Sequence, residues 1–473
     1  MLFWAEDYSI RGRIGCGRLP QRVSQISTLD PPARLVALAE PGSLETFAAA
    51  GPSPHLGRWG IAPDADDGVV CARLRVGAMS ALAIAQEARF LGGSVGANQG
   101  AALQRLFLRA IEEGPDVVVL LIDSGGVRLH EANAAELALA RALRALFDVR
   151  RARIPTLAIV TGAAFGGASV LAAACEHLLF FPDARFGLSG PRVIETAQGT
   201  EELDASDARA MATLFGAGAR ARTGIGTLAG DDIASVRAAI RAAAQHRVRF
   251  DRDALGTWDA KLAARLAAAG TAPASAVALP QEFSMLAGAT AADASGWLWR
   301  IPDTDVHVLR PLAPLAFGPA VAVAVAAALR EHLPSGAPLI IVEDSPGHAT
   351  TRAAEALGVS EYLAAHAARL ALLRMEGHAV LGLLTGRGHS AAFFVNALQA
   401  ATLDALAGAR IEAMAPDAMA RVTHLPTSEL RTLIEDDPML GQPVRHLAAL
   451  GGVARMHAGM TRAALLARVA ELR

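Results

Sequence analysis

Two uninterrupted apolar runs stand out in the first half of the chain: residues 117–122 (VVVLLI) and 156–160 (TLAIV). Each is short and rich in β-branched residues, the pattern of a strand covered on both faces. The first runs into Asp123-Ser124-Gly125-Gly126, the second into Thr161-Gly162-Ala163-Ala164-Phe165-Gly166-Gly167. Between them, residues 131–150 place apolar side chains at helical spacing. Residues 168–175 predict another helix, opening right after paired glycines. That alternation predicts right-handed crossover units in a mostly parallel sheet.

The second half repeats the layout. Residues 339–343 (LIIVE) lead into Asp344-Ser345-Pro346-Gly347, and residues 379–384 (AVLGLL) into Thr385-Gly386-Arg387-Gly388-His389-Ser390. Asp123 lies 39 residues before Gly162, and Asp344 lies 42 before Gly386; Arg185 follows Gly162 by 23, and Arg410 follows Gly386 by 24. Strand–turn–helix grammar is common to all α/β chains, but ordered Asp-Ser-x-Gly, Gly and Arg at kept spacings indicate an internal repeat. The expected fold is therefore α/β, with two domains related by a pseudo-twofold. Residues 267–281 are small, Pro-containing and without periodic charge, as in a linker. The expected division is an N-terminal extension over 1–52, a first domain over 53–266, a linker over 267–282 and a second domain over 283–473.

Composition narrows the chemistry. At 473 residues the chain is too long for one ordinary domain, and 52% hydrophobic residues fill cores easily. No stretch of about eighteen uncharged apolar residues reads as a membrane span. Acidic residues close to the start predict no export signal, so the cytosol is the expected compartment. A net charge of −2 and no basic run argue against a nucleic-acid partner. Cys16, Cys71 and Cys175 are far apart and form no CxxC, so neither a zinc ribbon nor a disulfide framework is expected, and no metal site. Lys261 is the single lysine. Schiff-base chemistry is thereby disfavoured, as is P-loop phosphoryl transfer, whose lysine motif is absent.

Several glycine-rich turns could carry chemistry. Gly166-Gly167, between a strand end and a helix start, leaves backbone N–H groups open to a ligand, and the helix N-terminus adds positive partial charge. Such a turn can hold a thioester oxygen as it becomes an enolate, with Gly125-Gly126 supplying a second donor. Tight helix–strand packing explains the same glycines equally simply. In the second half Gly388, His389 and Ser390 form the matching element. Ser390 reads as a helix N-cap or a participant, and His389 as a proton donor or substrate contact. His348, after Gly347, is a further candidate. Gly92-Gly93-Ser94 could shape a pocket wall or be a plain turn.

The ordered set Gly92-Gly-Ser-Val-Gly96, Asp123-Ser-Gly-Gly-Val-Arg-Leu-His-Glu-Ala-Asn133, Phe165-Gly-Gly167 and Gly187-Leu-Ser-Gly-Pro-Arg-Val-Ile-Glu195 resembles the beta subunit of biotin-independent malonate decarboxylase. From about Phe283 onward, Asp344-Ser-Pro-Gly-His348 and the segment 386–393 resemble its gamma subunit, so the chain looks like a beta–gamma fusion. The resemblance implies two crotonase-like domains of the carboxyltransferase type. It implies an active site between them where malonyl, carried on the phosphopantetheine-type arm of a separate acyl carrier subunit, loses CO2 to give the acetyl thioester. No cofactor is then bound covalently to this chain. The expected partners are the acyl carrier subunit and an acyl-carrier transferase subunit, in an oligomer. The expected catalytic residues are Gly125, Gly126, Gly166, Gly167, Gly388, His389 and Ser390, with Gly93, Ser94, Phe165, Gly347 and His348 binding substrate. The chain departs from the family pattern at Ala97 and Ala102, in place of an acidic residue and a lysine, and at Ala391, where glycine often follows the serine. These positions bear on arm binding and on the second amide site. A biotin-dependent acyl-CoA carboxyltransferase and an inactive scaffold are the alternatives.

Overall fold

The computed structural model describes residues 25–48, 50–277, 284–423 and 425–473. Cys16, much of the expected N-terminal extension and the end of the expected linker lie outside the described residues. Among the described residues no helix is long and apolar enough to cross a membrane.

The first sheet keeps chain order along its main path: Glu45–Thr46, Val69–Val76, Met79–Gln86, Val117–Ser124, Thr156–Ala164, His177–Phe180 and Thr227–Leu228. Its first two pairings are antiparallel and the rest parallel. The second sheet repeats this plan with Thr290–Ala291, Leu298–Arg300, His307–Leu309, Leu339–Glu343, Val380–Leu384, Thr402–Leu406 and Arg455–His457. Again two antiparallel pairings precede four parallel ones. The expected apolar strands sit at the centre of each sheet, where both faces are covered and continuous apolar runs are stable.

The repeat extends to single atoms. Asp123 Oδ1 accepts the Ala163 N–H at 2.9 Å, and Asp344 Oδ1 accepts the Arg387 N–H at the same distance. A Cβ on Gly162 would lie 2.4 Å from the Asp123 carboxylate, and one on Gly386 would lie 2.4 Å from that of Asp344. Only glycine fits either place. One residue later the registers match as well, Ala163 opposite Arg185 and Arg387 opposite Arg410. The spacing of Asp, Gly and Arg in the sequence is thus a duplicated contact.

The halves share one continuous core. The helix Gly166–Ala173 packs on the helix Val359–Met375, with Ser169 Oγ and Ser360 Oγ 2.7 Å apart. The helix Arg252–Ala268 also leans on the second half: Trp258 Nε1–H and Lys261 Nζ donate to Glu361 at 3.0 and 2.7 Å. Near the other end of the chain, the helix Pro31–Leu38 and the strand Glu45–Thr46 pack onto the first sheet. This cross-half burial brings the paired turns of both sheets to one place.

Candidate active site between the two halves

Both central turns of the first half meet at backbone level. Gly126 has φ 108° and Gly166 φ 54°, and a Cβ on Gly126 would sit 3.1 Å from Phe165 O. Glycine is needed here for conformation and for contact alike. The amides of these glycines are not equally available. Gly125 N–H donates to Gly92 O at 2.8 Å, Gly126 N–H to Ser124 Oγ at 3.2 Å, and Gly166 N–H to Leu188 O at 2.9 Å. Three of the four expected amide donors are therefore consumed inside the loops that shape the turn, which corrects the expectation for Gly125, Gly126 and Gly166. Gly167 N–H, in the first turn of its helix, and Val127 N–H have no acceptor among the described residues. Both residues line a cavity of about 680 Å³.

The second half supplies the opposite wall. Ser390 opens the helix Ser390–Val395 with φ 55°, the left-handed conformation that Gly166 adopts in the first half. Its hydroxyl does not cap that helix: His389 occupies the cap position, and Ser390 Oγ instead lies 2.9 Å from His348 Nδ1. The other ring nitrogen, His348 Nε2, is 3.0 Å from Ser189 Oγ. Burial, with His389 nearby, pushes His348 down to about 3, so the imidazole is neutral at ordinary pH. By repeat position His348 matches Val127 and Ala391 matches Gly167. Both members of the second pair also line the cavity.

Gly125, Ser94, Phe165, Gly166, Gly167, His348 and Ser390 come together on the cavity wall. Gly93, Gly126, Gly347, Gly388 and His389 do not line it. A Cβ on Gly93 would lie 1.9 Å from Asp123 O, and one on Gly388 2.9 Å from the Phe393 ring, so these glycines serve packing. Gly347, with φ 103° and its N–H on Ser345 Oγ at 3.0 Å, is the turn counterpart of Gly126. His389 is held behind the turn, 3.8 Å from Glu412, and desolvation lowers its pKa. Val127, Ser189 and Glu136, all on the wall, were not among the expected site residues. Val127 follows the Gly-Gly pair directly, which was signal enough to find it. Glu136 sits in an Ala-rich helix and gave none.

Residues 40–223 match the carboxyl transferase domain family, and residues 315–472 match the malonate decarboxylase gamma subunit family. A malonyl-S-ACP:biotin-protein carboxyltransferase of Malonomonas rubra is 36% identical over 195 residues, 37% of this chain and 60% of that protein. Acetyl-coenzyme A carboxylase carboxyl transferase subunits beta/alpha of Salinispora tropica are 30% identical over 38% of this chain and 34% of that one. The chain therefore spans 60% of the first of these curated relatives and 34% of the second. Among solved structures, one chain of a Pseudomonas malonate decarboxylase hetero-tetramer in complex with malonate is 34% identical, with a TM-score of 0.45. That match covers 48% of this chain and 86% of that one. The first half of the chain thus matches a carboxyl transferase domain and the second half a malonate decarboxylase gamma subunit. Each match falls on one of the two α/β units, so a single polypeptide carries both.

The motif residues that follow the paired glycines of the first half are braces. Arg128, fully buried, donates to Asp67 Oδ1 at 2.5 Å and to Ser94 O at 2.9 Å. Glu131 accepts the Ala97 N–H at 2.6 Å, and Asn133 Nδ2 reaches across to Gly441 O at 2.8 Å in the gamma-type half. In return, Glu355 accepts the N–H groups of Leu188 and Ser189 at 3.0 and 2.6 Å and pairs with buried Arg220 at 3.4 Å. Ser189, which holds His348, is thus positioned by the other half. Glu355→Ala leaves Arg220 buried without its partner, and such a loss costs about 3–5 kcal/mol. Urea unfolding is expected to show a lower midpoint with an unchanged slope.

Proposed function

We propose that this chain decarboxylates a malonyl thioester to the acetyl thioester and CO2, with residues 53–266 acting as the beta-type domain and 283–473 as the gamma-type domain. The observation that carries the reading is the pair of amides without an acceptor among the described residues, Val127 N–H and Gly167 N–H, on the wall of the cavity that Ser390, His348 and Ser189 also line. When the carboxylate leaves, its bonding electrons flow into the thioester carbonyl, and those amides hold the developing oxyanion. Apolar walls from Ile61, Leu91, Val127, Phe165, Phe394 and Met414 strip water from the carboxylate, which favours its loss. Ser390 and Ser189 fix a neutral His348 as a polar contact that orients the malonyl end without a counter-charge that would hold the carboxylate in place. The thioester itself accepts the electrons, so the scheme uses no cofactor on this chain. We place the thioester on the phosphopantetheine-type arm of a separate acyl carrier subunit, charged by an acyl-carrier transferase subunit, in a cytoplasmic oligomer.

The Malonomonas relative, a carboxyltransferase that acts on a biotin protein by its name, favours one second reading: transfer of the carboxyl group to biotin. Incubating the purified full chain with malonyl-pantetheine separates the two. Release of CO2 and acetyl-pantetheine without biotin is the expected result. Turnover that depends strictly on an added biotin carrier replaces decarboxylation with transfer. No turnover, together with no thioester binding by calorimetry, leaves the scaffold reading.

A further inference from the structure

Decarboxylation leaves an enolate that must take up one proton, and the described cavity wall holds one carboxyl group, that of Glu136. Glu136 lies on the helix Ala132–Arg151 of the beta-type half and is 5% exposed. Glu343, whose like charge acts on Glu136, is fully buried at the end of the strand Leu339–Glu343. Glu343 Oε2 accepts from Asn396 Nδ2 at 2.7 Å, and Asn396 Oδ1 lies 2.9 Å from His366 Nε2. Glu343 Oε1 has no hydrogen-bond partner among the described residues. An ionised carboxylate with an unpartnered oxygen is costly in such a place, whereas a shared or retained proton removes the cost. Two buried carboxyl groups from opposite halves, one of them open to the cavity, are what a stored proton requires.

We propose that Glu136 is the general acid that protonates the enolate carbon, and that Glu343 is the positioning residue that keeps it protonated. This rests on the decarboxylase reading. As the C–C bond breaks, CO2 departs and the electron pair moves onto the thioester oxygen. The enolate carbon then takes the proton of Glu136, so a C–H bond forms as the O–H bond breaks and Glu136 is left as carboxylate. A proton from water restores it before the next turnover, and the net reaction consumes one proton.

The electrostatics agree in direction. Burial pushes Glu136 up to about 8, and the like charge of Glu343 pushes the same way. Glu343 is likewise raised to about 8 by burial, against the opposing hydrogen bonds from Asn396 and Ala397. Charge on Glu343 therefore favours the protonated form of Glu136. On the cavity wall His348 is neutral through burial, lowered to about 3, and beyond Asn396 so is His366, lowered to about 4. His130 also lies on the cavity wall, and Asp344, next in the chain to Glu343, adds its like charge at that residue. An acid that works only when protonated makes the rate fall as pH rises past its pKa, so the alkaline limb belongs near pH 8.

The test follows two reactions of the full chain: CO2 release from malonyl-pantetheine, and exchange of acetyl-pantetheine methyl protons in D2O by NMR. Loss of a general acid lowers rates by about a hundredfold or more. Glu136→Gln, close in shape, is expected to lose both reactions by that factor, to lose the alkaline limb, and to bind acetyl-pantetheine as before. Glu343→Gln is expected to move the alkaline limb to lower pH. His130→Gln should leave that limb in place. Full activity of Glu136→Gln with an unchanged alkaline limb overturns the assignment of the acid and leaves the decarboxylase reading intact. A wild-type chain that releases no CO2 overturns both.

Discussion

Gly167→Ala is expected to lower turnover on malonyl-pantetheine by about a hundredfold while the protein stays folded, the usual cost of losing one oxyanion donor. Gly167 N–H belongs to the first turn of the helix Gly166–Ala173 and has no acceptor among the described residues. A Cβ added there would lie 2.3 Å from Leu139 Cδ2, and Leu139 is fully buried. Something has to move. Either Leu139 gives way at a packing cost of about 1–3 kcal/mol, or the helix start shifts and carries the amide off the substrate oxygen. The double variant Gly167→Ala with Leu139→Ala separates these outcomes by making room for the methyl. Recovery of kcat in the double variant, with thermal melting to follow the packing cost, shows that the displaced amide was the cause. Near-normal turnover in folded Gly167→Ala removes Gly167 from the oxyanion site. Gly167→Val is less informative, because its extra methyl groups also press on Val127, the other proposed donor.

The frame of this molecule was readable from the chain because its determinants are local. The runs at 117–122, 156–160 and 339–343 announce strands by composition alone. Asp123 with Gly162 and Asp344 with Gly386 are contacts whose partners keep a fixed spacing, so the repeat survives in the linear order. Donor availability is a different kind of property. Whether Gly125 or Gly166 offers an N–H depends on Gly92 O and Leu188 O, carbonyls delivered by other loops, and a glycine pair carries no record of them. Ser390 shows the same limit. A serine opening a helix after His389 reads as a cap, and only the fold brings His348, 42 residues earlier, to its hydroxyl. Glu136 was illegible for a further reason. Its properties come from a cavity and from Glu343 on the opposite half, while along its helix it resembles any solvated glutamate.

Ser390→Gly is expected to leave stability nearly unchanged yet reduce kcat by about a hundredfold, the scale of a misplaced reactive group. Two effects on stability oppose each other. Serine at φ 55° holds a strained backbone, and glycine relieves about 1 kcal/mol of it, as Gly166 does at the matching place in the first half. Removing Oγ leaves His348 Nδ1 without its bond in a buried site, a loss of about 1–3 kcal/mol. The melting temperature therefore moves by only a few degrees at most, on the order of what a kcal/mol or so produces in a chain of this size. Catalysis has no such compensation. His348 loses one of the two hydroxyls that fix its ring and tautomer, so the polar wall opposite Val127 and Gly167 loosens where the malonyl carboxylate must be aimed. Ser390→Ala makes the stringent control, since it deletes the same hydroxyl and keeps the strain. Equal losses of kcat in both variants, with the alanine protein the less stable by melting, assign the effect to the hydroxyl. A Ser390→Gly protein that turns over normally shows instead that Ser390 does no more than pack beside His348.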